Sequence, residues 1–357
     1  MPSEKIPFNR PCFGGNEYLY MGQALERLHI SGDGYFSKQT QALLEREIGA
    51  AKALLTTSCT DALEMSALLL NIGEGDEVIV PSFTFVSTAN AYALRGARIR
   101  FADIRPDTLN MDENHVAQLI NKRTRAIVPV HYAGVGCNMD ALTALANRNG
   151  IVMVEDNAHG LFGTYRGQNL GTLGNMATQS FHETKNFSCG EGGALLLNDP
   201  LLVERAEILR EKGTNRSQFF RGQVDKYTWV DLGSSFLPSD LLAACLFAQL
   251  ERRETIQNTR RTIWETYSRE LRGWAERHGI GLPIIPAECH QAYHMFYLLM
   301  PTLEDRQAFI THTKERGILC VFHYLPLNAS PMGEKQGASK GDCPVTEAMS
   351  DLLVRLP

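Results

Sequence analysis

Short apolar, β-branched runs alternate with helix-like patterns between about residues 51 and 200. Each run indicates a buried strand, and strands that alternate with helices indicate βαβ crossovers and a largely parallel sheet covered on both faces. The predicted strands lie at residues 51–56, 77–80, 99–102, 126–130, 151–154, 177–181 and 194–197. Such sheets bind ligands at the carboxyl ends of their strands, and polar residues such as Asp156 and His182 directly follow these runs. The pattern therefore predicts one ligand-binding edge.

The pattern changes after residue 200. Residues 239–273 carry apolar residues at helical spacing between charged ones, which predicts one long helix or two consecutive helices. Residues 293–300 and 319–324 indicate short strands around a helix at about residues 303–316, and the Gly-, Ser- and Lys-rich stretch 333–341 indicates a surface loop. We expect a large α/β domain over residues 1–245, and a connector helix with a smaller α+β domain over residues 246–357.

Composition narrows the class of protein. The chain has 357 residues, 44% hydrophobic and 21% charged, so it is long enough for two domains and is neither disordered nor fibrous. A net charge of -5 disfavours general affinity for nucleic acid or anionic membranes. The cysteines are scattered without a CxxC pair, and no apolar run approaches the roughly 20 residues of a membrane span. We expect a cytoplasmic protein with reduced thiols and no nucleic-acid or membrane partner.

Residues 180–193, SFHETKNFSCGEGG, place Lys185 shortly after a predicted strand and before several glycines. A desolvated lysine amine can act as a nucleophile there, whereas a lysine on its own is most often a solvated surface charge. Asp156 ends another predicted strand, where a carboxylate needs a cationic or protonated partner. As an alternative, Asp156 caps a helix.

A third motif is TSCTD at residues 57–61, between a predicted strand and a helix. Hydroxyls and free N–H groups at a helix start can bind a phosphate, although Ser, Thr and Asp are also ordinary N-caps. Ser180 can add a hydroxyl, and the ring of Phe85 can stack on a ligand or join the core. A phosphate site, a carboxylate and an amine together are what pyridoxal 5′-phosphate requires. No Walker or dinucleotide fingerprint competes, and we expect no metal.

Several motifs occur in the order and spacing of one family: GDG at 32–34, PSFTFVSTANA at 81–91, PVHYAG at 129–134, VEDNAHG at 154–160, SFHETKN at 180–186, GEGG at 190–193 and SDLLAA at 239–244. On these motifs the chain resembles the DegT/DnrJ/StrS family of sugar-nucleotide aminotransferases. The resemblance implies an enzyme with the fold type I, aspartate-aminotransferase-like architecture. It has a central mixed, mostly parallel seven-stranded sheet, a smaller C-terminal α+β domain, and a homodimeric assembly.

The resemblance also implies roles for the matching residues, with pyridoxal 5′-phosphate as cofactor. These are Lys185 for covalent attachment of the cofactor, Asp156 for its pyridine nitrogen, His159 for its 3′-oxygen, Ser180 and the Cys59 and Thr60 amides for its phosphate, and Phe85 for stacking on its ring. Ser235 occupies the place where many relatives carry an asparagine that reaches the cofactor phosphate of the neighbouring subunit.

A narrower resemblance suggests the substrate. Residues 211–235, together with FHETKN and with HYLPL at 323–327, are similar to transaminases that aminate dTDP-4-keto-6-deoxy-D-glucose with L-glutamate. The product there is dTDP-4-amino-4,6-dideoxy-D-galactose, used in enterobacterial common antigen or O-antigen synthesis. Arg216, Arg221 and Lys226 would suit a nucleotide diphosphate, or they are solvated loop charges. His323 and Tyr324 are further candidate substrate contacts.

The chain departs from these relatives at two places. Asn328 replaces a histidine, and the sequence stops at Pro357, where relatives continue by a strand and a helix, which implies a truncated small domain. Three alternatives stay open. The first is the same chemistry on another ketosugar or with the opposite amine stereochemistry. The second is dehydration, as in relatives with histidine at the lysine position, which Lys185 disfavours. The third is a cofactor-binding regulator without turnover.

Overall fold

The structure is a computed structural model that describes residues 5–357. The helices are α1 (Glu17–Glu26), α2 (Tyr35–Ile48), α3 (Cys59–Leu69), α4 (Val86–Ala93), α5 (Glu113–Leu119), α6 (Met139–Asn149), α7 (Val203–Arg210), α8 (Arg216–Phe220), α9 (Asp240–Glu251), α10 (Arg253–His278), α11 (Leu303–Glu315), α12 (Pro331–Lys335) and α13 (Pro344–Leu352). The strands are β1 (Lys52–Thr56), β2 (Glu77–Pro81), β3 (Arg98–Ala102), β4 (Thr124–Ile127), β5 (Val152–Asp156), β6 (Thr164–Tyr165), β7 (Gln168–Asn169), β8 (Met176–Ser180), β9 (Gly193–Leu197), β10 (Cys289–His290), β11 (Tyr297–Leu299) and β12 (Leu353–Arg355).

A seven-stranded sheet forms the centre of the molecule, in the order β1-β9-β8-β5-β4-β2-β3. β2 pairs in parallel with β3 and β4, β4 with β5, and β5 with β8, whereas β9 runs antiparallel to both β1 and β8. Neighbouring residues of a strand point to opposite faces, so Leu54 and Leu55 join different cores on the two sides of the sheet. The expected mixed, mostly parallel seven-stranded sheet is confirmed, with each strand where the apolar pattern predicts it.

Helices α9 and α10 account for the helical pattern at residues 239–273. They are two consecutive helices that meet at Arg252, the second being 26 residues long. The predicted domain boundary between residues 245 and 246 falls inside α9 and stays a prediction. Within residues 5–357, no helix is long and apolar enough to cross a membrane.

Asp240, the first residue of α9, caps the amino end of α2. Its carboxylate accepts hydrogen bonds from the amides of Phe36 at 3.2 Å and Ser37 at 2.7 Å. A Cβ at Gly34 would lie 2.4 Å from the Asp240 carboxyl carbon, so position 34 has no room for a side chain. The GDG and SDLLAA motifs are therefore two parts of one packing contact.

The small C-terminal sheet differs from the predicted one. β11 lies within the predicted strand 293–300, but it pairs with β12 and not with residues 319–324. The prediction of a strand at 319–324 is wrong: only single bridges, Ile6 with Ile318 and Val321 with Arg355, form in this region. Beyond Val321 the chain leaves the sheet, and residues His323 and Tyr324 line a cavity instead.

The predicted surface loop at residues 333–341 is confirmed for residues 336–341, whereas residues 333–335 belong to the end of α12. Gly333 is buried, and the Leu327 carbonyl oxygen lies 2.1 Å from where a Cβ at this position would be, so this position has no room for a side chain. Ala338 packs against the main core.

Candidate active site

A cavity of about 1390 Å³ opens at the carboxyl ends of the parallel strands. Strand β5 contributes Asp156, strand β8 contributes Ser180, and the small domain closes the other side. The predicted site residues that line it are Cys59, Thr60, Phe85, Asp156, His159, Ser180, Lys185, His323 and Tyr324. The fold thus brings together residues that are far apart in the sequence.

The amino end of α3 forms one corner of the cavity. Ser58 caps this helix, since its Oγ accepts the Asp61 amide at 3.0 Å. The amides of Cys59 and Thr60 begin the helix and have no acceptor within the described part of the chain. Free amides at a helix start attract an anion. Burial and the nearby Glu64 raise the pKa of Asp61 to about 6, which reduces the negative charge beside this corner.

Asp156 is buried at the end of β5 and is held from two sides. Thr88 Oγ donates to its Oδ2 at 2.7 Å, and the Ala158 amide donates to its Oδ1 at 3.2 Å. Thr88 in turn shares a hydrogen bond with Thr84 at 2.9 Å. These contacts fix the carboxylate at the cavity wall, where it can accept a hydrogen bond from a protonated nitrogen.

Lys185 lies half-buried in a loop that follows β8. A hydrogen bond from the Glu183 amide to the Gly190 carbonyl at 2.8 Å closes this loop, and the Lys185 amide donates to the His182 carbonyl at 2.9 Å. Burial lowers the pKa of the Lys185 ammonium, while Cys59 and Asp156 oppose that shift. The amine therefore loses its proton more readily than a surface lysine.

Three imidazoles surround the lysine. The rings of His159 and His294 stack with centroids 4.3 Å apart, and the ring of His323 stacks on Tyr324 at 3.6 Å. Burial lowers the pKa of His159, His294 and His323 well below the ordinary value, so all three are neutral at pH 7. His159 Nδ1 is buried without a hydrogen-bond partner among the described residues.

The aromatic wall of the cavity is partly open. Phe85 is 57% exposed, with its ring centroid 6.4 Å from that of Tyr324. Phe85 therefore lines the cavity with much of its ring exposed, and its stacking role stays a prediction. The His323 ring is fixed by Tyr132, whose hydroxyl lies 2.7 Å from Nδ1.

Four predicted residues do not line this cavity. Arg216 forms an ion pair with Glu211 at 3.0 Å, and Arg221 forms one with Glu207 at 2.8 Å. Lys226 and Ser235 are exposed. Their predicted roles toward a diphosphate or a neighbouring subunit stay predictions.

The structure adds cavity residues that the sequence pattern does not single out. They are Thr88, Arg260, His294 and Arg355. Thr88 lies within the PSFTFVSTANA motif, but Ser87 and Asn90 are polar too, so the sequence does not single it out. Arg355 stands in an apolar run at the end of the chain, where nothing local distinguishes it from a charge at a strand edge.

Comparisons with known proteins define the class. The sequence profile of the DegT/DnrJ/EryC1/StrS aminotransferase family matches residues 13–357. The spore coat polysaccharide biosynthesis protein SpsC of Bacillus subtilis is 31% identical over 95% of this chain and 88% of its own length.

Two solved structures are similar over 99% of this chain. The aminotransferase TlmJ from Streptoalloteichus hindustanus is 30% identical, with a TM-score of 0.90 over 93% of its length. The putative sugar aminotransferase Spr1654 from Streptococcus pneumoniae, in its PLP form, is 26% identical, with a TM-score of 0.91 over 93% of its length.

The family profile and the solved relatives, together with the mixed seven-stranded sheet, define an aminotransferase of the fold type I architecture. The chain belongs to the DegT/DnrJ/EryC1/StrS aminotransferase family. Both the expected fold class and the expected family are confirmed.

Proposed function

We propose that this chain is a pyridoxal 5′-phosphate-dependent sugar-nucleotide aminotransferase. It transfers the amino group of L-glutamate to C4 of dTDP-4-keto-6-deoxy-D-glucose and yields dTDP-4-amino-4,6-dideoxy-D-galactose for cell-surface polysaccharide synthesis. The observation that carries the proposal is the meeting of Lys185, Asp156, His159 and the free amides of α3 in one cavity.

The cavity residues fit the cofactor. Two unbonded amides and the macrodipole of α3 suit its phosphate, with the Ser180 hydroxyl on the same wall. Asp156 supplies a fixed carboxylate for the ring nitrogen. His159 Nδ1 lacks a partner in either tautomer, so an oxygen of a bound group would relieve the cost of burying it. The solved PLP and PMP forms of Spr1654 support this cofactor.

When bound, pyridoxal phosphate supplies a ring that accepts the electron pair released as a proton leaves the amine-bearing carbon of the substrate. Lys185 would take that proton and return it to the cofactor carbon that receives the amine, because burial lowers its pKa and makes the neutral amine easier to form than in a surface lysine. Hydrogen bonds from Thr88 and Ala158 fix the Asp156 carboxylate, so it would keep the ring nitrogen of the bound cofactor protonated during the reaction. The neutral imidazoles exclude water without adding positive charge.

The size of the cavity supports a large second substrate. Ligand pockets for drug-sized molecules measure about 300–1,000 Å³, and this cavity, at about 1390 Å³, exceeds that range. A cofactor and a nucleotide-linked sugar together need such room. The name of SpsC, a spore coat polysaccharide biosynthesis protein, supports a role in polysaccharide synthesis. The assignment of a dTDP-linked ketosugar as substrate rests on the similarity of residues 211–235 to transaminases that use it.

We further propose a cytoplasmic homodimer. The cysteines are free, as thiols in a reducing compartment are. Large apolar side chains are exposed on and just after α1, at Tyr18 and Leu28, and on and after α8, at Phe220 and Trp229. An apolar surface of this kind favours a protein partner. A second copy covering it would also bring Ser235 next to another subunit. Sedimentation of a monomer at micromolar concentration would contradict this part of the proposal.

The deciding experiment incubates the pyridoxal phosphate-loaded protein with L-glutamate and a panel of nucleotide-linked ketosugars. NMR of the product reports both the sugar and the amine stereochemistry. Product from another ketosugar alone, or with the opposite configuration, would replace the assigned substrate. If glutamate produces no spectral change of the bound cofactor, the regulator hypothesis replaces the enzyme hypothesis.

A second experiment tests the attachment residue. Borohydride reduction of the loaded protein should label a peptide within residues 181–193, and Lys185→Ala should abolish both labelling and turnover. Lys122→Ala is the control, because Lys122 is exposed and does not line the cavity. Multiple turnovers by Lys185→Ala would contradict the role of Lys185.

A further inference from the structure

His294 lies in the segment that joins β10 to β11, and its side chain lines the cavity. Its Nδ1 is 2.9 Å from Oδ1 of Asn186, the residue that follows Lys185 in the chain. This contact ties the ring of His294 to the loop that carries the lysine. Within residues 5–357, Nε2 of His294 has no hydrogen-bond partner. The ring therefore has one nitrogen held by the protein and one left for a ligand.

The side chain of Asn186 fixes which nitrogen of His294 carries the proton. Asn186 Nδ2 donates to the carbonyl oxygen of Ala292 at 2.7 Å and to Oε1 of Gln257 at 3.2 Å. Because the Ala292 carbonyl oxygen can only accept, the atom facing it must be the nitrogen of the amide, and Oδ1 faces His294. Oδ1 can only accept as well, so Nδ1 of His294 donates the proton of their hydrogen bond.

The other ring nitrogen of His294 is a fixed hydrogen-bond acceptor. Burial lowers the pKa of His294 well below its ordinary value, and the charges of Lys185 and Arg260 lower it further. A neutral imidazole whose proton is on Nδ1 presents a lone pair at Nε2. Stacking on His159 and the hydrogen bond from Arg260 to the His294 carbonyl oxygen hold the ring in place. An acceptor at such a wall favours a ligand that donates a hydrogen bond to it.

The other two imidazoles of the cavity do not offer such an acceptor. His159 has its unpartnered nitrogen, Nδ1, fully buried, and its Nε2 lies 3.4 Å from the Tyr324 hydroxyl. His323 shares a hydrogen bond with the Tyr132 hydroxyl, which can either donate or accept, so that contact does not fix the position of its proton. Only for His294 do the surrounding groups determine both the tautomer and the free nitrogen.

We propose that Nε2 of His294 accepts a hydrogen bond from the C3 hydroxyl of the ketosugar and so selects sugars that carry this hydroxyl. The inference rests on the proposed function, since it assumes a 4-ketosugar that reacts at Lys185. Asn186 keeps the ring beside the lysine loop, so a group that contacts Nε2 lies near the reacting carbon C4. In dTDP-4-keto-6-deoxy-D-glucose, C4 is bonded to C3, which carries a hydroxyl, and to C5, which carries the methyl group and the ring oxygen. The C3 hydroxyl is therefore the one donor next to C4.

The experiment uses the protein loaded with pyridoxamine phosphate and follows a single turnover. The two substrates are dTDP-4-keto-6-deoxy-D-glucose and its 3-deoxy analogue, each at low concentration. The wild type should react about 10- to 100-fold faster with the hydroxylated sugar, because the analogue leaves Nε2 without a partner. Equal rates with the two sugars would overturn the inference.

Variants at position 294 separate this contact from a structural role. In His294→Asn an amide near the position of Nδ1 can still bond to Asn186, but nothing replaces the acceptor at Nε2. This variant should lose most of the preference, because it slows the reaction of the hydroxylated sugar far more than that of the analogue. His294→Gln places an amide oxygen near the position of Nε2 and should restore part of the preference. His312→Asn, which removes an exposed imidazole of the same small domain outside the cavity, is the control.

A second readout does not depend on turnover. In protein labelled with 15N-histidine, NMR should show a protonated Nδ1 and an unprotonated Nε2 for His294, whose signals are identified by their loss in His294→Gln. The protein loaded with pyridoxal phosphate carries no amino group to transfer, so the ketosugar binds to it without being aminated. Under these conditions the hydroxylated sugar should shift the Nε2 signal, and the 3-deoxy analogue should leave it in place.

A preference that persists unchanged in His294→Asn would make His294 structural, and a protonated Nε2 would remove the acceptor on which the inference depends. The comparison of the two sugars on the wild-type protein decides even if the variants fail to fold. Failure of the proposed function gives a different pattern, because the wild type would then aminate neither sugar, and the selection of the C3 hydroxyl would fall with it.

Discussion

Gly193, the first residue of β9, supports the loop that begins α3. A Cβ at this position would lie 2.3 Å from the carbonyl carbon of Ser58 and 2.4 Å from the amide nitrogen of Cys59, where ordinary contacts begin at 3.4 Å. Gly193→Ala must therefore move the backbone of residues 58–59 by about 1 Å, since both contacts are with main chain and not with a flexible side chain. The amides proposed to hold the cofactor phosphate would move with it.

The magnitude follows from the bonds that are disturbed. A hydrogen bond to a charged group contributes about 1.5–3 kcal/mol, so weakening the two amide contacts should cost about 3 kcal/mol of cofactor binding, or roughly a hundredfold. Overpacking of this kind also lowers the free energy of unfolding by about 1–3 kcal/mol. Both losses come from one added methyl group.

The assay is a titration of the cofactor-free variant with pyridoxal 5′-phosphate, followed by absorbance, with urea unfolding measured in parallel. Gly73→Ala is the matched control, because a Cβ there meets nothing within 4 Å. A folded Gly193→Ala protein that binds the cofactor as tightly as the wild type would refute the assignment of the Cys59 and Thr60 amides to the phosphate.

Three further changes test other parts of the site. Asp156→Asn should retain some cofactor but lose most of the turnover, because an amide carries no charge to hold a protonated ring nitrogen; near-normal turnover would remove Asp156 from the chemistry. The lowered pKa values of His159, His294 and His323 mean that the unfolded chain binds more protons below about pH 6.5. The free energy of unfolding should therefore fall on acidification by up to about 1.4 kcal/mol per pH unit for each imidazole. Urea unfolding at pH 7.5 and 5.5 measures this, and His294→Asn should flatten the slope. Asp103→Ala should cost about 2 kcal/mol of stability, since Asp103 accepts the Val345 and Thr346 amides at 2.9 and 2.7 Å and caps α13; urea unfolding with a loss below about 0.5 kcal/mol would contradict that capping role.

The central sheet could be predicted from the sequence because its strands are buried on both faces. Such strands are continuous apolar runs, and Leu54 and Leu55 in β1 show why, as each faces a different core. The cavity could be predicted for the same reason, since polar residues that directly follow these runs must meet at one edge. Lys185 and Asp156 were singled out in this way, whereas His159 came only from the family resemblance.

The small domain could not be predicted equally well. Residues 319–324 have the apolar, aromatic composition of a strand, but only Val321 pairs, and the next residues turn toward the cavity. Which segment pairs with β11 depends on how the small domain packs in three dimensions, and the composition of a segment does not encode that. Arg355 was missed because its place in the cavity wall depends on three-dimensional packing, and nothing in its local sequence indicates it.

The contact between Gly34 and Asp240 also has an evolutionary consequence. The cap of α2 is supplied by a residue of another helix, and the space it fills is the space that a side chain at position 34 would need. Substitutions at these two positions depend on each other, because a larger residue at position 34 is tolerated only after Asp240 has been replaced. In an alignment of homologous sequences, positions 34 and 240 should therefore vary together.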